Sequence, residues 1–197
     1  MTSEAITETG LSIDDKGRTR CWWGASAPEY VEYHDSEWGV PLHGDDALYE
    51  RLCLEAFQSG LSWLTILRKR PAFRRAFDDF RIERVAAFGD SDVARLMADA
   101  SIVRNRAKIA ASIQNARAAM ALDESLDELL WSFAPTAPRE RPASMSDMVA
   151  VTPESKAMAK ELKRRGFSFI GPTTAYALMQ ATGMVDDHLD GCWRAGG

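Results

Sequence analysis

The sequence predicts an all-α fold, and three observations support this prediction. Residues 45–59 (DDALYERLCLEAFQS) open with acidic residues and carry apolar side chains at helical spacing. Residues 105–121 (NRAKIAASIQNARAAMA) consist largely of alanine and long side chains, which favour helix. The chain shows no convincing strand-like alternation of apolar and polar residues and no internal repeat.

Proline and glycine mark the ends of two further predicted helices. Residues 153–165 start with proline and an acidic residue, end with basic residues and meet Gly166. Residues 172–182 start with proline and end before Gly183. Residues 134–146 contain three prolines and are predicted to be a loop. Shorter helices are predicted over 28–38, 62–69, 71–79, 83–88 and 90–98.

Length and composition limit the class of protein. The 197 residues, 46% of them hydrophobic, suffice for one sizeable core or for two lobes that share one. No stretch approaches the roughly 20 apolar residues of a membrane helix, and residues 1–18 lack the apolar core of a signal peptide. Three widely spaced cysteines do not suggest a disulfide framework. We expect a disordered tail over 1–18, one domain over 19–197, and a cytoplasmic rather than secreted protein.

The positive charges are grouped along the chain. The net charge of −5 does not by itself indicate a nucleic-acid partner. However, Arg68–Arg75, Arg104–Lys108 and Lys160–Arg165 hold 12 of the 24 lysines and arginines. Local basic patches can bind phosphate backbones. For any one patch alone, a solvated helix face is the better explanation.

Two cysteines and two histidines near opposite ends of the chain could bind one metal ion. They are Cys21, His34, His188 and Cys192. Two thiols and two imidazoles suit tetrahedral Zn²⁺, and four protein ligands would close the site, which makes the metal structural. The alternative is four unrelated residues, and the spacing alone does not decide between them. His43 and Cys53 are assigned no ligand role.

The run Arg165–Pro172 (RGFSFIGP) joins two predicted helices. Gly166 can end the first helix in a left-handed conformation, and Gly171 allows close approach of another backbone. Such a run is typical of a helix–hairpin–helix element, whose exposed amides at the start of the second helix can hold a DNA phosphate. The alternative is a plain helical turn that uses the same glycines.

Aromatic residues cluster in sequence around one carboxylate. Glu55 shares a predicted helix face with Leu48 and Leu52, so we expect it to point toward apolar surroundings. The aromatic residues are Trp23, Tyr30, Tyr33, Trp38 and Trp63. Aromatic walls and one buried carboxylate suit a flat, electron-poor ring. The alternative is that the aromatics belong to the core and that Glu55 pairs with Arg51.

With these residues the chain resembles the 3-methyladenine DNA glycosylase I family, within the helix–hairpin–helix glycosylases. The resemblance runs from about Arg20 to Trp193. Its most specific pieces are Arg20-Cys21, the run from Tyr30 to Pro41, Leu52–Glu55, Gly60–Trp63, Gly166–Gly171 and Asp187–Cys192.

The resemblance implies an all-α, two-lobe helix–hairpin–helix DNA glycosylase fold. It implies a structural zinc ion on Cys21, His34, His188 and Cys192 that joins the ends of the chain. It also implies a base pocket lined by Glu55, Tyr33 and Trp63, with Trp23, Tyr30 and Trp38 around it. Gly60-Leu61 would probe the duplex while the damaged nucleotide flips out, and the hairpin with Gly166, Gly171 and Thr173 would anchor the backbone.

The implied function is excision of 3-methyladenine from double-stranded DNA by a monofunctional, monomeric glycosylase. The stretch Gly171-Pro172-Thr173-Thr174 lacks the lysine nucleophile of bifunctional relatives, so strand cleavage is not expected. Asp186 stands where this family typically has asparagine. It would either assist catalysis, by stabilising the sugar cation or positioning water, or serve as a helix cap or a partner of His188.

Two other functions remain open from the sequence. One is a non-catalytic module that recognises distorted DNA through the hairpin and the basic patches. The other is a zinc hydrolase, against which the four protein ligands argue because they leave no open coordination position.

Overall fold

The computed structural model of the protein describes residues 6–137 and 140–196. Two short strands, β1 (Leu11–Ile13) and β2 (Thr19–Cys21), pair antiparallel. The helices are α1 (Pro28–Ser36), α2 (Asp45–Gln58), α3 (Trp63–Ala76), α4 (Ile82–Ala86), α5 (Asp90–Ala98), α6 (Arg106–Met120), α7 (Leu126–Trp131), α8 (Pro153–Arg164) and α9 (Pro172–Ala181). None of these helices combines the length and apolar character needed to cross a membrane.

The chain divides into two compact units. The first unit comprises the described residues of Met1–Pro41, Pro135–Ala150 and Met179–Gly197. The second unit comprises Leu42–Ala134 and Val151–Leu178. The first unit thus joins the two ends of the chain with an internal segment. The expectation of one domain over 19–197 stays a prediction.

Polar side chains fix where several helices begin. Each accepts a hydrogen bond from a backbone N–H of the first helical turn, which otherwise has no partner within the helix. These capping residues are Ser62, Asn105, Ser125 and Thr152, at the starts of α3, α6, α7 and α8. The predicted helices over 45–59, 105–121, 153–165 and 172–182 are confirmed to within one or two residues.

Helix α2 forms the core of the second unit. It is buried on nearly all sides between Leu48 and Phe57, as expected for a central helix. The rings of Phe57 and Phe73 pack with centroids 4.7 Å apart, and those of Phe77 and Phe80 stack at 5.2 Å. Truncating one such buried ring to alanine typically costs about 3–5 kcal/mol, so this cluster holds α2 and α3 in place.

The β-hairpin corrects the prediction for the first 18 residues. The sequence predicted no strand and a disordered tail over 1–18, but β1 pairs with β2, and Leu11 packs against buried Cys21 and Leu189. Asp14 closes the turn because its side chain accepts hydrogen bonds from the amides of Lys16 and Arg18, both at 2.9 Å. Strands of three residues are too short to show alternation in the sequence. Residues 1–5 of the predicted tail lie outside the described residues.

Helix α3 corrects a predicted break. The sequence predicted separate helices over 62–69 and 71–79, but one helix runs from Trp63 to Ala76 with Pro71 inside. Proline removes a single helical hydrogen bond. Leu67, Ala72 and Phe73 are buried on either side of it, and this packing outweighs the local preference.

Helix α7 was missed by the sequence analysis. Its start carries a capping box, in which the Ser125 side chain accepts from the Glu128 amide at 3.0 Å and the Glu128 carboxylate accepts from the Ser125 amide at 3.0 Å. The pattern of serine followed three residues later by glutamate was the signal that would have found it.

Candidate functional site

The first unit brings Cys21, His34, His188 and Cys192 together. All four side chains are buried, and their ligand atoms lie within 4.8 Å of one another. Cys192 Sγ lies 3.4 Å from His34 Nε2 and 3.7 Å from His188 Nδ1, and Cys21 Sγ lies 3.9 Å from His188 Nδ1. β2 supplies Cys21, α1 supplies His34, and the segment after α9 supplies the other two.

These distances fit a tetrahedral metal site. Zinc binds thiolate sulfur at about 2.3 Å and imidazole nitrogen at about 2.0–2.1 Å. Tetrahedral angles then place sulfur and nitrogen ligands about 3.5 Å apart. The observed separations of 3.4–3.9 Å lie close to this value. A central ion could therefore bind all four side chains without large movements.

Hydrogen bonds orient both imidazole rings toward the centre of the cluster. His34 Nδ1 lies 2.8 Å from Asp35 Oδ1, and since a carboxylate only accepts, Nδ1 donates there while Nε2 faces the cluster. His188 Nε2 donates to the carbonyl of Trp38 at 3.2 Å, while Nδ1 faces the cluster. Metal-binding histidines characteristically donate their second nitrogen in this way. The donor set and its orientation therefore both suit a metal ion.

Asp35 links the histidine to the N-terminal hairpin. The Arg20 guanidinium donates to both Asp35 oxygens, with its Nη2 at 2.8 Å from Oδ2 and its Nε at 2.9 Å from Oδ1. Trp193 Nε1 donates to Oδ1 at 3.1 Å. Burial opposes ionisation of Asp35, but the hydrogen bonds from Arg20, His34 and Trp193 outweigh it and lower the pKa to about 2. Asp35 is therefore held as a carboxylate.

The two thiols of the cluster compete for one negative charge. A hydrogen bond from Cys21 lowers the pKa of Cys192. The same contact, together with burial, raises the pKa of Cys21. Two buried thiolates side by side repel each other, and a bound cation would remove that conflict by supplying positive charge.

The other histidine and cysteine lie elsewhere, as the sequence predicted. Cys53 is buried in α2, and burial raises the pKa of its thiol to about 12. His43 is exposed, lies 3.0 Å from Asp127 and stacks on Trp131 with ring centroids 4.5 Å apart. Neither belongs to the four-residue cluster.

Four of the predicted base-binding aromatics form one cluster in the first unit. Trp23 lies at its centre, with ring centroids 5.6 Å from Tyr30, 6.2 Å from Tyr33 and 4.9 Å from Trp38. Trp38 also packs edge-on against His188 at 4.6 Å. The aromatic cluster therefore shares side chains with the candidate metal site, and a metal that fixes the histidines would also fix these rings.

The second unit contains Glu55 and Trp63. Glu55 lies in α2 and is buried, and burial raises its pKa to about 7 although the charge of Arg51 lowers it. The Arg51 guanidinium lies over the Trp63 ring, 5.7 Å from its centroid. Trp63 is itself buried at the first position of α3. A buried carboxylate with a raised pKa is a recurring feature of functional sites.

The link between α2 and α3 is exposed. Gly60 has a φ of 81°, and a Cβ there would meet nothing within 4 Å. Leu61 is 42% exposed, which is unusual for a leucine in a tight turn. The left-handed backbone accounts for glycine at position 60, and the exposed leucine is available for an external contact.

The hairpin between α8 and α9 matches the sequence analysis in part. Gly166 has a φ of 90° and follows the end of α8, as predicted. Gly171 is exposed, its φ is not positive, and a Cβ there would contact nothing within 4 Å. The protein itself therefore does not require glycine at 171, which leaves room for an external backbone. Thr173 is exposed on the first turn of α9.

Asn115 holds this hairpin and was not found from the sequence. Its Oδ1 accepts a hydrogen bond from the Ser168 amide at 2.8 Å, and its Nδ2 donates to the Ser168 carbonyl at 3.1 Å. Asn115 is buried in α6. Asparagine has a low helix propensity, and its place inside the alanine-rich stretch 105–121 was the available signal.

Both oxygens of Asp186 are engaged in hydrogen bonds. Oδ1 accepts from the His188 amide at 3.2 Å. Oδ2 accepts from Arg141 Nη2 at 3.0 Å and from the Gly196 amide at 3.1 Å. These bonds tie Asp186 to the segment that carries His188, and its role stays a prediction.

Lys108 corrects the prediction of a basic patch over Arg104–Lys108. Its side chain is buried, and Nζ donates to the carbonyls of Phe57 at 2.8 Å and Ser59 at 2.5 Å. Burial lowers its pKa. The ammonium group satisfies carbonyls at the C-terminal end of α2, where a positive charge is favourable. Lys108 therefore fixes α2 rather than contributing to a charged surface.

Known proteins are similar to this chain over most of its length. The family model for methyladenine glycosylase matches residues 22–195. DNA-3-methyladenine glycosylase 1 of Escherichia coli K12 is 44% identical over 177 residues, which cover 88% of this chain and 95% of that protein. DNA-3-methyladenine glycosylase of Haemophilus influenzae is 41% identical over 178 residues, which cover 88% of this chain and 96% of that protein.

A solved structure of a variant 3-methyladenine DNA glycosylase I in complex with 3-methyladenine superposes with a TM-score of 0.85 at 36% identity. The match covers 90% of this chain and 98% of that one. Family model, sequence identity and fold agree over nearly the whole length, and the chain belongs to the methyladenine glycosylase family.

Proposed function

We propose that this protein is a DNA glycosylase that hydrolyses the bond between 3-methyladenine and deoxyribose in double-stranded DNA, as the first step of base excision repair. The family match over residues 22–195 carries the proposal. We also propose that the protein is cytoplasmic, which is consistent with a cellular DNA substrate, and that it acts as a monomer.

The chemistry depends on the charge of the damaged base. Methylation at N3 makes adenine in DNA cationic, so its glycosidic bond is already weakened and the leaving base needs little protonation. The protein accelerates the reaction by binding this cation more strongly as the bond breaks. Flipping the nucleotide out of the duplex costs a few kcal/mol, and less for damaged bases, which adds selectivity.

Glu55 is the residue that we propose discriminates the cationic base. Its buried carboxylate is costly to ionise, and the pKa of about 7 reflects this cost. A cationic ring that donates from its exocyclic amine offsets the cost, whereas neutral adenine offsets less of it. Trp63 would stack on the base, since a cation over an indole face gains about 2 kcal/mol or more when desolvated.

The aromatic cluster of the first unit is the second proposed contribution to base recognition. Tyr33 is buried within this aromatic cluster, and packing against Trp23 restricts the motion of the Tyr33 ring. Trp23, Tyr30 and Trp38 are proposed as further base-binding residues. The proposed role of Asp186 is to support His188 rather than to act on the sugar, because hydrogen bonds engage both of its oxygens.

DNA is proposed to contact two exposed turns of the second unit. The hairpin with Gly166, Gly171 and Thr173 would act as a helix–hairpin–helix element and hold a backbone phosphate at the start of α9. Gly60 and Leu61 would enter the duplex where the nucleotide leaves it, and the exposed leucine would replace lost stacking.

The cluster of Cys21, His34, His188 and Cys192 is proposed to hold Zn²⁺, because its donor types and distances fit that ion. When bound, the ion would supply positive charge to the two thiolates and link the chain ends. Four protein ligands would leave no position for a water nucleophile, so the role is structural.

Release of free bases from methylated duplex DNA tests the proposal. The protein should release 3-methyladenine and leave abasic sites in strands that stay intact until alkali is added, because Gly171–Thr174 offers no lysine. Unmethylated duplex is the control. If the folded, zinc-loaded protein binds DNA but releases no 3-methyladenine, the proposal is wrong and a non-catalytic DNA-recognition module becomes the better explanation.

A further inference from the structure

A groove of about 630 Å³ runs along α8 and the hairpin that follows it. Three lysines of α8 line it: Lys156, Lys160 and Lys163. The hairpin residues from Phe167 to Pro172 line the other side. The lysines are spaced four and three residues apart, so they share one face of α8. At a rise of about 1.5 Å per residue, the row of lysines is about 10 Å long. This length is comparable with the axial rise of roughly three nucleotides in a DNA duplex.

The basic residues of α8 and its end divide into two groups. Arg164 and Arg165 both donate to Glu161, at distances down to 2.5 Å, and Arg165 also donates to Glu124 at 2.9 Å. Each of these arginines is therefore neutralised locally. The three lysines face the groove, are exposed, and form no ion pair with any carboxylate in the part of the chain that the structure describes. The groove thus carries uncompensated positive charge on a protein whose net charge is −5.

Phe169 gives this groove an unusual aromatic residue. Its φ of 63° is in the left-handed region, which costs a non-glycine residue about 1 kcal/mol or more. Its side chain is 46% exposed and lines the same groove. The exposed ring recovers little of that cost by burial within the protein. An external contact that buries the ring would explain both its conformation and its exposure.

We propose that Lys156, Lys160 and Lys163, together with Phe169, form a track for one strand of the DNA backbone. The lysines contact successive phosphates, and the Phe169 ring packs against a deoxyribose. The proposal rests on the proposed function and deepens it, because it extends the DNA contact from the hairpin turn along α8. The occupant follows from charge complementarity, since a row of unpaired ammonium groups beside an apolar ring matches alternating phosphates and sugars.

The salt dependence of DNA binding tests the lysine row. The wild type, a triple variant (Lys156→Gln, Lys160→Gln and Lys163→Gln) and a matched double variant (Arg164→Gln and Arg165→Gln) are titrated with an undamaged duplex at several salt concentrations. The slope of log K against log salt is negative, and each lost phosphate contact reduces its magnitude by about 0.9. The magnitude should fall by about 2.7 in the triple variant, which should also bind at least tenfold more weakly at low salt, whereas the double variant should keep the wild-type slope.

Equal slopes in all three proteins, or equal losses in both variants, would overturn the track. In the first case the groove would have another occupant, and acidic peptides or anionic vesicles could then be tried as alternatives. Base release by the wild type is measured separately. If the wild type releases no base but the triple variant still shows a weaker salt dependence of DNA binding, the proposed function fails and the track stands.

Phe169→Gly tests the aromatic contact. Glycine adopts a positive φ readily, so this variant should keep or raise the midpoint of thermal unfolding. It should also bind duplex DNA about three- to tenfold more weakly, with an unchanged salt slope, because no charge is lost. A lower unfolding midpoint with unchanged DNA affinity would mean that Phe169 serves the fold alone, and would remove it from the track.

Discussion

Asp35 in the first unit and Glu55 in the second are carboxylates in sheltered positions, but their surroundings shift the pKa in opposite directions. Asp35 is surrounded by donors from Arg20, His34 and Trp193, and its pKa falls to about 2 despite burial. Glu55 is more deeply buried, and its pKa rises to about 7.

This difference separates a carboxylate that serves the fold from one that is available to a ligand. The interactions of Asp35 already stabilise its negative charge, so a further cation would gain little there. The charge of Glu55 is compensated only in part by Arg51. A cationic ligand would therefore gain most at Glu55. Under the proposed function, the first unit would hold a permanent metal-linked structure, and the second would keep a site for a transient positive charge.

The largest expected effect concerns the cluster of Cys21, His34, His188 and Cys192. Cys192→Ala should abolish zinc binding and lower the free energy of unfolding by about 4 kcal/mol or more, the stabilisation given by a ligand at about 1,000 times its Kd. Removal of one thiol leaves the other three ligands without a closed site. Zinc content by atomic absorption and denaturant unfolding measure both effects. Activity should fall only as far as the folded fraction falls.

Cys53→Ala is the matched control for this prediction. Cys53 is also fully buried, but it lies in α2 and is not one of the four residues of the cluster. This variant should keep its zinc and lose about 1 kcal/mol, the cost of removing a small buried group. If both alanine variants lose the same stability and keep the same zinc content, the four residues do not form a metal site.

The next largest effect concerns the carboxylate of Glu55. Glu55→Gln should lower kcat/KM for 3-methyladenine release by about 100- to 1,000-fold, or roughly 3–4 kcal/mol, because an ionic contact to the cationic base is lost. The free energy of unfolding at pH 8 should stay the same or rise, since a buried charge disappears. Base-release kinetics and denaturant unfolding at pH 8 give the two values.

Glu50→Gln controls for the loss of a carboxylate from the same helix. Glu50 pairs with Arg74 at 2.8 Å, so its loss should affect stability slightly and leave base release unchanged. A Glu55→Gln variant with full activity would show that the base is selected by its shape and stacking. Glu55 would then not differ from Asp35 as a carboxylate available to a cationic ligand.

The features that sequence reasoning predicted are those with local signals. Pro153, Gly166 and Pro172 mark the ends of α8 and α9, and the structure places those ends within one or two residues. The cluster of Cys21, His34, His188 and Cys192 was also predicted, although its members lie far apart in the chain. Residue type made these four candidates, and the family resemblance decided between a common site and four unrelated residues.

Apart from α7, whose capping box is a local signal, the features that were missed depend on three-dimensional packing. Lys108 looked like part of a charged surface, but the carbonyls of Phe57 and Ser59 about 50 positions earlier bring it into the interior. Pro71 looked like a break, but burial of its neighbours keeps α3 continuous. The strained φ of Phe169 has no signature in the sequence, since the position resembles any other turn residue.

The pH dependence of stability is a smaller effect that isolates Glu55. Its pKa is raised from 4.5 to about 7 in the folded protein, so the folded state holds the proton more tightly. This contribution is fully present below about pH 4.5 and is lost as pH rises through about 7. It amounts to about 3 kcal/mol at about 1.4 kcal/mol per pKa unit. Unfolding curves between pH 5 and 8 should show this slope in the wild type and lack it in Glu55→Gln; identical slopes would contradict it.

The smallest predicted effect tests whether Asp35 acts through His34. Asp35→Asn keeps the shape of the side chain but weakens its hold on the His34 Nδ1 proton, so zinc affinity should fall by about 10- to 100-fold. Competition with a chelator measures the affinity directly. Asp14→Asn is the control, because Asp14 also binds Arg20, at 2.8 Å, and is not a partner of His34. A larger loss from Asp35→Asn would mean that the carboxylate orients the ligand. Equal losses would mean that both residues act only by fixing Arg20, and the low pKa of Asp35 would then reflect the hairpin rather than the metal site.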